Sequence, residues 1–334
     1  MRSAIAVAAA ILLALGLGQA RAQVPEIRLA RQYSMGYLQF NVMDHEKLIQ
    51  KHAAQLGIPE VKITWMQFNG PSTMNDALIS DSIDIVAGSP SGMLTIWGRT
   101  RGTAQEVRAI SALVSLPFKL NTNDPEIRGI DDLGRCGRIA VPSIKVSSPA
   151  MTLQMAAANA YGMKEYSRYD QLTVSMSPPD ATISMLTKQG GVNCVFGLPP
   201  FLQQQLKDPS IHSVLDSYDV AGGPNTYTTA YTSARFRDRS PVLFKALYAA
   251  LTEATERVNA DPRQASQYWI EDGGSKLSLD FVTAAATEPR VRWTMVPERT
   301  MVWAEFMAAV GTLKVKPASW KEYFWPEAHG LDGS

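Results

Sequence analysis

The sequence predicts an α/β protein in which two lobes each contain their own sheet. Short runs rich in β-branched residues alternate with helix-length amphipathic segments, and this alternation is typical of parallel α/β units rather than of a sandwich or a helical bundle. The order strand, helix, strand, helix, strand occurs near the start of the chain and again after residue 131. With 334 residues, the chain is long enough for about two packed domains.

The first lobe opens with strands predicted at residues 27–30, 61–68 and 83–87. A loop containing Gly36 follows the first strand. We expect a single helix from this loop to about Leu56, because Gly57 and Pro59 then stop it.

The loops after the second and third strands also open helices. Residues 69–71, Asn-Gly-Pro, turn the chain, and Ser72 or Thr73 is expected to cap the helix that extends through Ile79. A glycine-rich turn at residues 88–92 leads into a further helix.

The second lobe repeats the pattern, with strands predicted at residues 138–141, 172–175 and 192–196. Strand-like runs border this lobe on both sides, as expected if two chain crossings act as hinges near residues 113–120 and 227–232. The periodicity of the remaining C-terminal segment is helical. We therefore expect lobe 1 to combine residues 23–116 with residues 228–334, and lobe 2 to span residues 117–227.

The first 22 residues have the pattern of an export signal. Arg2 provides the positive start, residues 5–17 provide the apolar region, and Ala20-Arg21-Ala22 ends it with small residues at both recognition positions. The mature chain is expected to begin at Gln23. No cysteine stands at the cleavage point, so a soluble periplasmic protein is predicted rather than a lipid-anchored one.

Charge and motif content argue against several function classes. Lys plus Arg total 32 and Asp plus Glu total 31, so no basic surplus favours nucleic acid or anionic lipid. The chain has four His, and the spacing of His45 and His52 favours a solvated helix face over a metal site. Residues 88–92 lack the spacing of a nucleophile elbow. The sequence therefore predicts no enzyme activity, no cofactor and no metal.

The two cysteines, Cys136 and Cys194, fall near the starts of two predicted strands. A disulfide is sterically possible if those strands are parallel neighbours, and the predicted compartment allows it. Two separate buried thiols are the alternative, since free cysteine is among the most buried residue types.

Four predicted strands end in small polar loops that open helices, at residues 69–73, 88–91, 143–148 and 177–180. Such loops lie at the carboxyl ends of parallel strands, where helix N-termini present free N–H groups to ligands. Their hydroxyls can either cap the helix or reach a bound oxyanion. With neighbouring aromatic residues, the candidate ligand-binding positions are Tyr33, Ser34, Tyr37, Asn69, Gly88, Ser89, Ser147, Ser148 and Gly197.

Four segments resemble the substrate-binding proteins of nitrate, sulfonate and taurine ABC importers, and the related pyrimidine-precursor binding proteins. They are IRLARQY near the start, MNDALISDSIDIVAGSPSGML from Met74, IRGIDDLGRCGRIAVP from Ile127 and MLTKQGGVNCVFGLPPFL from Met185. The resemblance implies a type II periplasmic binding protein fold, two lobes joined by two hinge crossings that close on a ligand and dock to a membrane permease. The chain departs from the family pattern in its first loop, which reads Met-Gly-Tyr-Leu from Met35 where Gly-x-x-Pro is frequent.

These observations predict a monomeric solute-binding component of an ABC importer that performs no chemistry. The expected ligand is a small organic anion, a sulfonate or carboxylate, held by Ser89, Ser147, Ser148 and backbone N–H groups. An aromatic or pyrimidine-type solute on the same fold is an alternative. A periplasmic sensor or interaction protein without a transport role is another, and a pyrimidine-synthesising enzyme on a similar fold would need a committed catalytic cluster.

Overall fold

The computed structural model describes residues 24–334. The predicted export segment, residues 1–22, and the predicted mature terminus Gln23 lie outside them. The strands are β1 (Glu26–Arg31), β2 (Lys62–Gln67), β3 (Ile85–Gly88), β4 (Val107–Ser115), β5 (Lys119–Thr122), β6 (Ile139–Val141), β7 (Thr173–Ser175), β8 (Cys194–Gly197), β9 (His212–Asp216), β10 (Thr226–Ser233) and β11 (Arg292–Trp293).

Helices connect and flank these strands. They are α1 (Leu38–His45), α2 (Leu48–Gln55), α3 (Pro71–Ile79), α4 (Pro90–Thr100), α5 (Ser148–Tyr161), α6 (Pro178–Thr187), α7 (Phe201–Gln205), α8 (Ser217–Ala221), α9 (Ala234–Arg239), α10 (Pro241–Ala260), α11 (Pro262–Gly273), α12 (Leu279–Ala286) and α13 (Met301–Ala309). Among residues 24–334, none of the helices combines the length and the apolar character needed to cross a bilayer.

The strands form two sheets with matching topology. The first has the order β11-β4-β10-β3-β1-β2 and the second the order β7-β6-β8-β5-β9. In each sheet three strands run parallel: β1 pairs with β2 and β3, and β6 pairs with β7 and β8. In each, the next strand is antiparallel, β10 against β3 and β5 against β8. The predicted α/β class with two lobes and two crossings is confirmed.

The chain passes between the sheets at residues 116–118 and again at residues 217–225, the second crossing carrying α8. The predicted second hinge, residues 227–232, lies instead inside β10, where it is hydrogen-bonded to β3 and β4. The C-terminal helices belong with the first sheet, because α10 packs on α1 and α2, and α11 packs on α1.

Two helix starts differ from the sequence prediction. The single helix expected up to Leu56 is broken into α1 and α2, because Lys47 adopts a left-handed conformation with φ of 52°. Helix α3 begins at Pro71 with Gly70 as its N-cap, so neither Ser72 nor Thr73 caps it. Proline is well tolerated at this first position because its missing N–H has no helical partner there.

A disulfide joins Cys136 and Cys194, with their Cα atoms 5.9 Å apart. Cys194 begins β8 and lies opposite Ile139 of β6, so the two parallel strands are adjacent as the bridge requires. The bridge ties the segment that enters β6 to the strand beside it, and both thiols are therefore in use.

Candidate functional site

The predicted ligand loops meet where the two lobes face each other. Ser91 Oγ at the start of α4 donates to the carbonyl oxygen of Val146 at 2.7 Å and lies 3.3 Å from Ser148 Oγ. Nearby, the Met35 N–H donates to the Pro199 carbonyl at 3.0 Å. These bonds join lobe 1 directly to lobe 2, so the loops at the centre of the cleft contact each other.

Three of the predicted serines have partners within their own helix turns. Ser34 Oγ accepts from the Gly36 N–H at 3.3 Å, and Ser89 Oγ accepts from the Gly92 N–H at 3.2 Å. Ser147 Oγ accepts from the Ala150 N–H at 3.4 Å, and Ser148 beside it is fully buried. The hydroxyls serve as N-caps, which is one of the two roles open to them in the sequence.

The remaining predicted residues lie in different surroundings. Tyr37 is buried, and burial raises its pKa well above the usual value, so its phenol stays protonated. Gly88 and Gly197 allow close packing, since a Cβ at either would press on Tyr231 or Gln205 respectively. Asn69 is exposed and Tyr33 is half-buried. A ligand-binding role for the nine predicted residues stays a prediction.

A cavity of about 570 Å³ lies between the lobes, beside these loops. Of the predicted residues, Tyr33 lines it. Lobe 1 forms one wall from the end of β1, from α1 and β2, and from the end of α11 and the loop after it. Lobe 2 forms the other wall with Pro179, Thr182, Ile183, Phe201 and Gln204.

The lobe 1 wall contains a buried group of polar side chains centred on Asp272. Arg31 Nη1 lies 2.9 Å from Asp272 Oδ2, and Asn41 Nδ2 donates to the same oxygen at 2.6 Å. The other oxygen, Oδ1, faces His45 Nε2 at 2.6 Å. The guanidinium of Arg31 also lies over the Trp65 ring, 5.4 Å from its centroid.

Two polar atoms of this group have no hydrogen-bond partner although they are buried. They are Arg31 Nη1, whose ion-pair contact with Asp272 is close but poorly aligned for a hydrogen bond, and Asn41 Oδ1. Buried polar groups are normally paired, and leaving one unpaired costs about 1–3 kcal/mol. Both residues line the cavity.

Apolar and aromatic side chains from both lobes also line the cavity. Phe201 of lobe 2 and Trp269 of lobe 1 meet edge to face with their ring centroids 6.2 Å apart. Ile183 and Leu277 add aliphatic surface. A cavity that combines convergent polar groups with apolar and aromatic surface is typical of small-molecule sites.

Sequence reasoning found part of this site and missed the rest. Tyr33, in the loop after the first predicted strand, was among the predicted ligand-binding residues, whereas Arg31, which directly follows that strand, was not. Asp272 and Trp269 carry no local motif, and Asp272 is 231 residues from its partner Asn41. Residues 24–334 contain no group of three or more His, Cys, Asp or Glu side chains placed to hold a metal ion.

Comparison with solved structures identifies the same fold elsewhere. The alkanesulfonate-binding protein SsuA from Xanthomonas axonopodis pv. citri, bound to MOPS, superposes with a TM-score of 0.69 at 16% identity, over 91% of this chain and 99% of that one. The periplasmic aliphatic sulphonate-binding protein SsuA from Escherichia coli gives 0.62 at 16% identity, over 90% and 92% of the two chains.

The periplasmic nitrate-binding protein NrtA from Synechocystis PCC 6803 gives a TM-score of 0.63 at 13% identity, over 92% of this chain and 86% of that one. No family model matches the sequence, and no curated protein sequence matches it. The sheet order, the two crossings and these superpositions agree, and the chain therefore has the fold of the periplasmic binding proteins, shared with sulfonate-binding and nitrate-binding proteins.

Proposed function

We propose that the protein is the periplasmic solute-binding component of an ABC importer. In this role it captures a small organic solute between its lobes as a monomer and delivers it to a membrane permease without chemistry. The observation that carries the proposal is the cavity of about 570 Å³ lined by both lobes of this fold. The sulfonate-binding and nitrate-binding neighbours support the general role.

Capture in this cavity couples binding to closure. A solute that rests on the Arg31 wall of lobe 1 reaches Phe201 and Gln204 only when lobe 2 is close. The crossings at residues 116–118 and 217–225 are the segments about which the lobes rotate. Contacts made only in the closed state shift the population toward it, which is what a permease would recognise.

The cavity offers features for both expected solute classes. A small organic anion, the class that the sequence predicts, would find its cation in Arg31. A solute with a flat aromatic body, the alternative, would pack against Tyr33, Phe201 and Trp269. Ser89, Ser147 and Ser148 are enclosed in the closed arrangement, so we place the solute in the cavity beside them.

The test places a larger side chain in the cavity by substituting an exposed helix residue that lines it. Ile183 in α6 is 58% exposed and lines the cavity, so Ile183→Trp places an indole there without disturbing the core. Val242, 40% exposed at the start of α10 and outside the cavity lining, provides the matched control Val242→Trp. Thermal shift against sulfonates, carboxylates and aromatic amides identifies a solute, and calorimetry measures its affinity.

We expect the wild type and Val242→Trp to bind alike, and Ile183→Trp to bind at least about tenfold more weakly, since lost contacts of about 1.4 kcal/mol suffice for that factor. Equal affinity in all three proteins would place the solute elsewhere. A panel in which no solute raises the melting temperature of the wild type would contradict solute capture.

A further inference from the structure

The two mostly buried charged side chains that line the cavity carry opposite charges and form an ion pair. Among the described residues that line the cavity, the charged ones are Arg31, Asp272 and Lys276. Lys276 is exposed at the rim, whereas the Arg31 and Asp272 side chains are 10% and 14% exposed and lie 2.9 Å apart. Arg31 is therefore already paired with a carboxylate before any solute arrives.

Asp272 is held in this position from its other side. Asn41 Nδ2 and His45 Nε2 each lie 2.6 Å from one of its oxygens. The His45 ring stacks on Tyr268 with centroids 4.2 Å apart, and its Nδ1 lies 3.7 Å from the exposed carboxylate of Glu271. The carboxylate thus cannot swing away to free Arg31 without breaking two short contacts.

Two fully buried polar atoms of this wall, one donor and one acceptor, have no hydrogen-bond partner. The donor is Arg31 Nη1 and the acceptor is Asn41 Oδ1. The two side chains are adjacent, because Arg31 Nη1 and Asn41 Nδ2 both contact Asp272 Oδ2. An amide or lactam edge carries an acceptor beside a donor and can satisfy both, whereas a carboxylate or sulfonate carries acceptors only.

We propose that Asp272 sets the charge preference of the cavity, so that it selects an uncharged solute with an amide-type edge over an organic anion. The inference rests on the proposed solute-binding function and names its substrate class. An anion at this wall would face the Asp272 carboxylate across Arg31, and like charges brought together in a desolvated site are strongly disfavoured. The flat body of the solute packs toward Phe201 and Trp269.

The experiment compares matched probes that differ in charge and share a body. The pairs are benzamide and benzoate, nicotinamide and nicotinate, and phenylacetamide and phenylacetate, each titrated into the wild type by calorimetry. We expect each amide to bind at least about tenfold more tightly than its carboxylate, in line with the cost of one unfavourable close charge contact. This comparison requires no variant.

Asp272→Asn then removes the charge and leaves Arg31 unmatched. We expect the affinity for the carboxylate probes to rise by about tenfold or more, so that the preference for each amide over its carboxylate becomes smaller or reverses. Asp280→Asn is the matched control, since it also removes one carboxylate charge, from a side chain that is 84% exposed, pairs with the exposed Arg263 and lies outside the cavity lining. It should leave the preference unchanged.

Arg31→Gln provides a second, opposite variant if Asp272→Asn does not fold. It leaves the carboxylate unmatched, so benzamidine, the cationic analogue of benzamide, should gain affinity relative to benzamide itself. A preference of this variant for benzoate would contradict the inference.

Tighter binding of the carboxylates by the wild type would overturn the inference. The organic anion would then again be the expected solute class, and the proposed solute-binding function would be unaffected. An equal change in Asp280→Asn would show a long-range charge effect and overturn the role of Asp272. If none of the three pairs binds, the amide class is wrong. In that case the wider thermal-shift panel tests the proposed function. The function stands if the panel yields another solute whose binding Ile183→Trp weakens, and it fails if the panel yields none.

Discussion

At the scale of single residues, two aspartates each bind an arginine of β1, Arg28 within the strand and Arg31 at its end. Asp84, 3% exposed, accepts from the Arg28 backbone N–H and Nε through Oδ2, and from Nη2 through Oδ1, at 2.9–3.0 Å. Asp272 lies 2.9 Å from Arg31 Nη1 at the end of the strand, but this ion-pair contact is not aligned as a hydrogen bond. The first pair is saturated and structural, whereas the second keeps a donor free beside a cavity.

We predict that Asp84→Asn lowers the free energy of unfolding by about 2–4 kcal/mol, because it leaves Arg28 without its buried carboxylate. Asp81→Asn is the control. Its side chain makes an exposed ion pair with Arg235, and its carbonyl, which accepts from Arg28 Nη1, is unchanged. Urea unfolding should show a loss of at most about 1 kcal/mol for this control. Equal losses in both variants would contradict a special role of the buried pair.

At the scale of elements, serine hydroxyls cap the N-termini of several helices in both lobes. Ser89 caps α4, Ser147 caps α5 and Ser177 caps α6, each with proline among the first helical residues. Capping and oxyanion binding require the same residue type at the same place in a helix, so the sequence pattern alone is consistent with both. In the structure, each of these three hydroxyls accepts a hydrogen bond from a backbone N–H of its own first helical turn, which is the capping role.

Ser89 separates the two roles experimentally. A cap predicts that Ser89→Ala costs about 1 kcal/mol of stability while Ser89→Gly costs only a few tenths, because glycine is itself tolerated as an N-cap. Thermal and urea unfolding of the two variants provide the measurement. Solute affinity should stay within about twofold of wild type in both, a difference of about 0.4 kcal/mol. A large and equal loss of affinity in both variants would instead assign the hydroxyl to the ligand.

At the scale of the whole molecule, small residues let the two lobes contact each other. Ser91 bonds across to Val146, and Gly70 lies against the Pro142 carbonyl, where a Cβ would overlap the oxygen. Gly70 has an extended backbone with φ of −169°, so an alanine there meets no backbone strain. Its space is needed for contact between the lobes.

Gly70→Ala should therefore favour the open form. Gly129→Ala is a matched control with φ of −173° and nothing within 4 Å of the added Cβ. Spin labels on Leu206 and Val242, which are each 40% exposed, lie on opposite lobes and are outside the cavity lining, report the separation. We expect Gly70→Ala to shift the distances by on the order of 1 Å or more, the displacement that restores ordinary van der Waals contact, and to weaken solute binding. Identical distances in both variants would contradict the role of Gly70.

Much of the fold was predictable because its determinants are local in the chain. Hydrophobic periodicity and turn residues located most strands of both parallel units, and the positions of Cys136 and Cys194 near two strand starts made a bridge possible without deciding it. The break at Lys47 was not predictable, since a left-handed lysine within an amphipathic stretch has no sequence signature. Local signals also could not distinguish a serine cap from a serine ligand.

The sequence by itself determined the α/β class, the repeated unit and the placement of Arg31 and Tyr33 at the end of the first strand. Only the tertiary structure decided that Asp272 neutralises Arg31, that Phe201 meets Trp269 across the lobes, and that the cavity lies beside the serine loops. The physical reason is the separation in sequence between the residues that interact. Periodicity and capping depend on neighbours a few residues apart, whereas the charge and shape of the cavity depend on side chains that packing brings together from α1, α7 and α11.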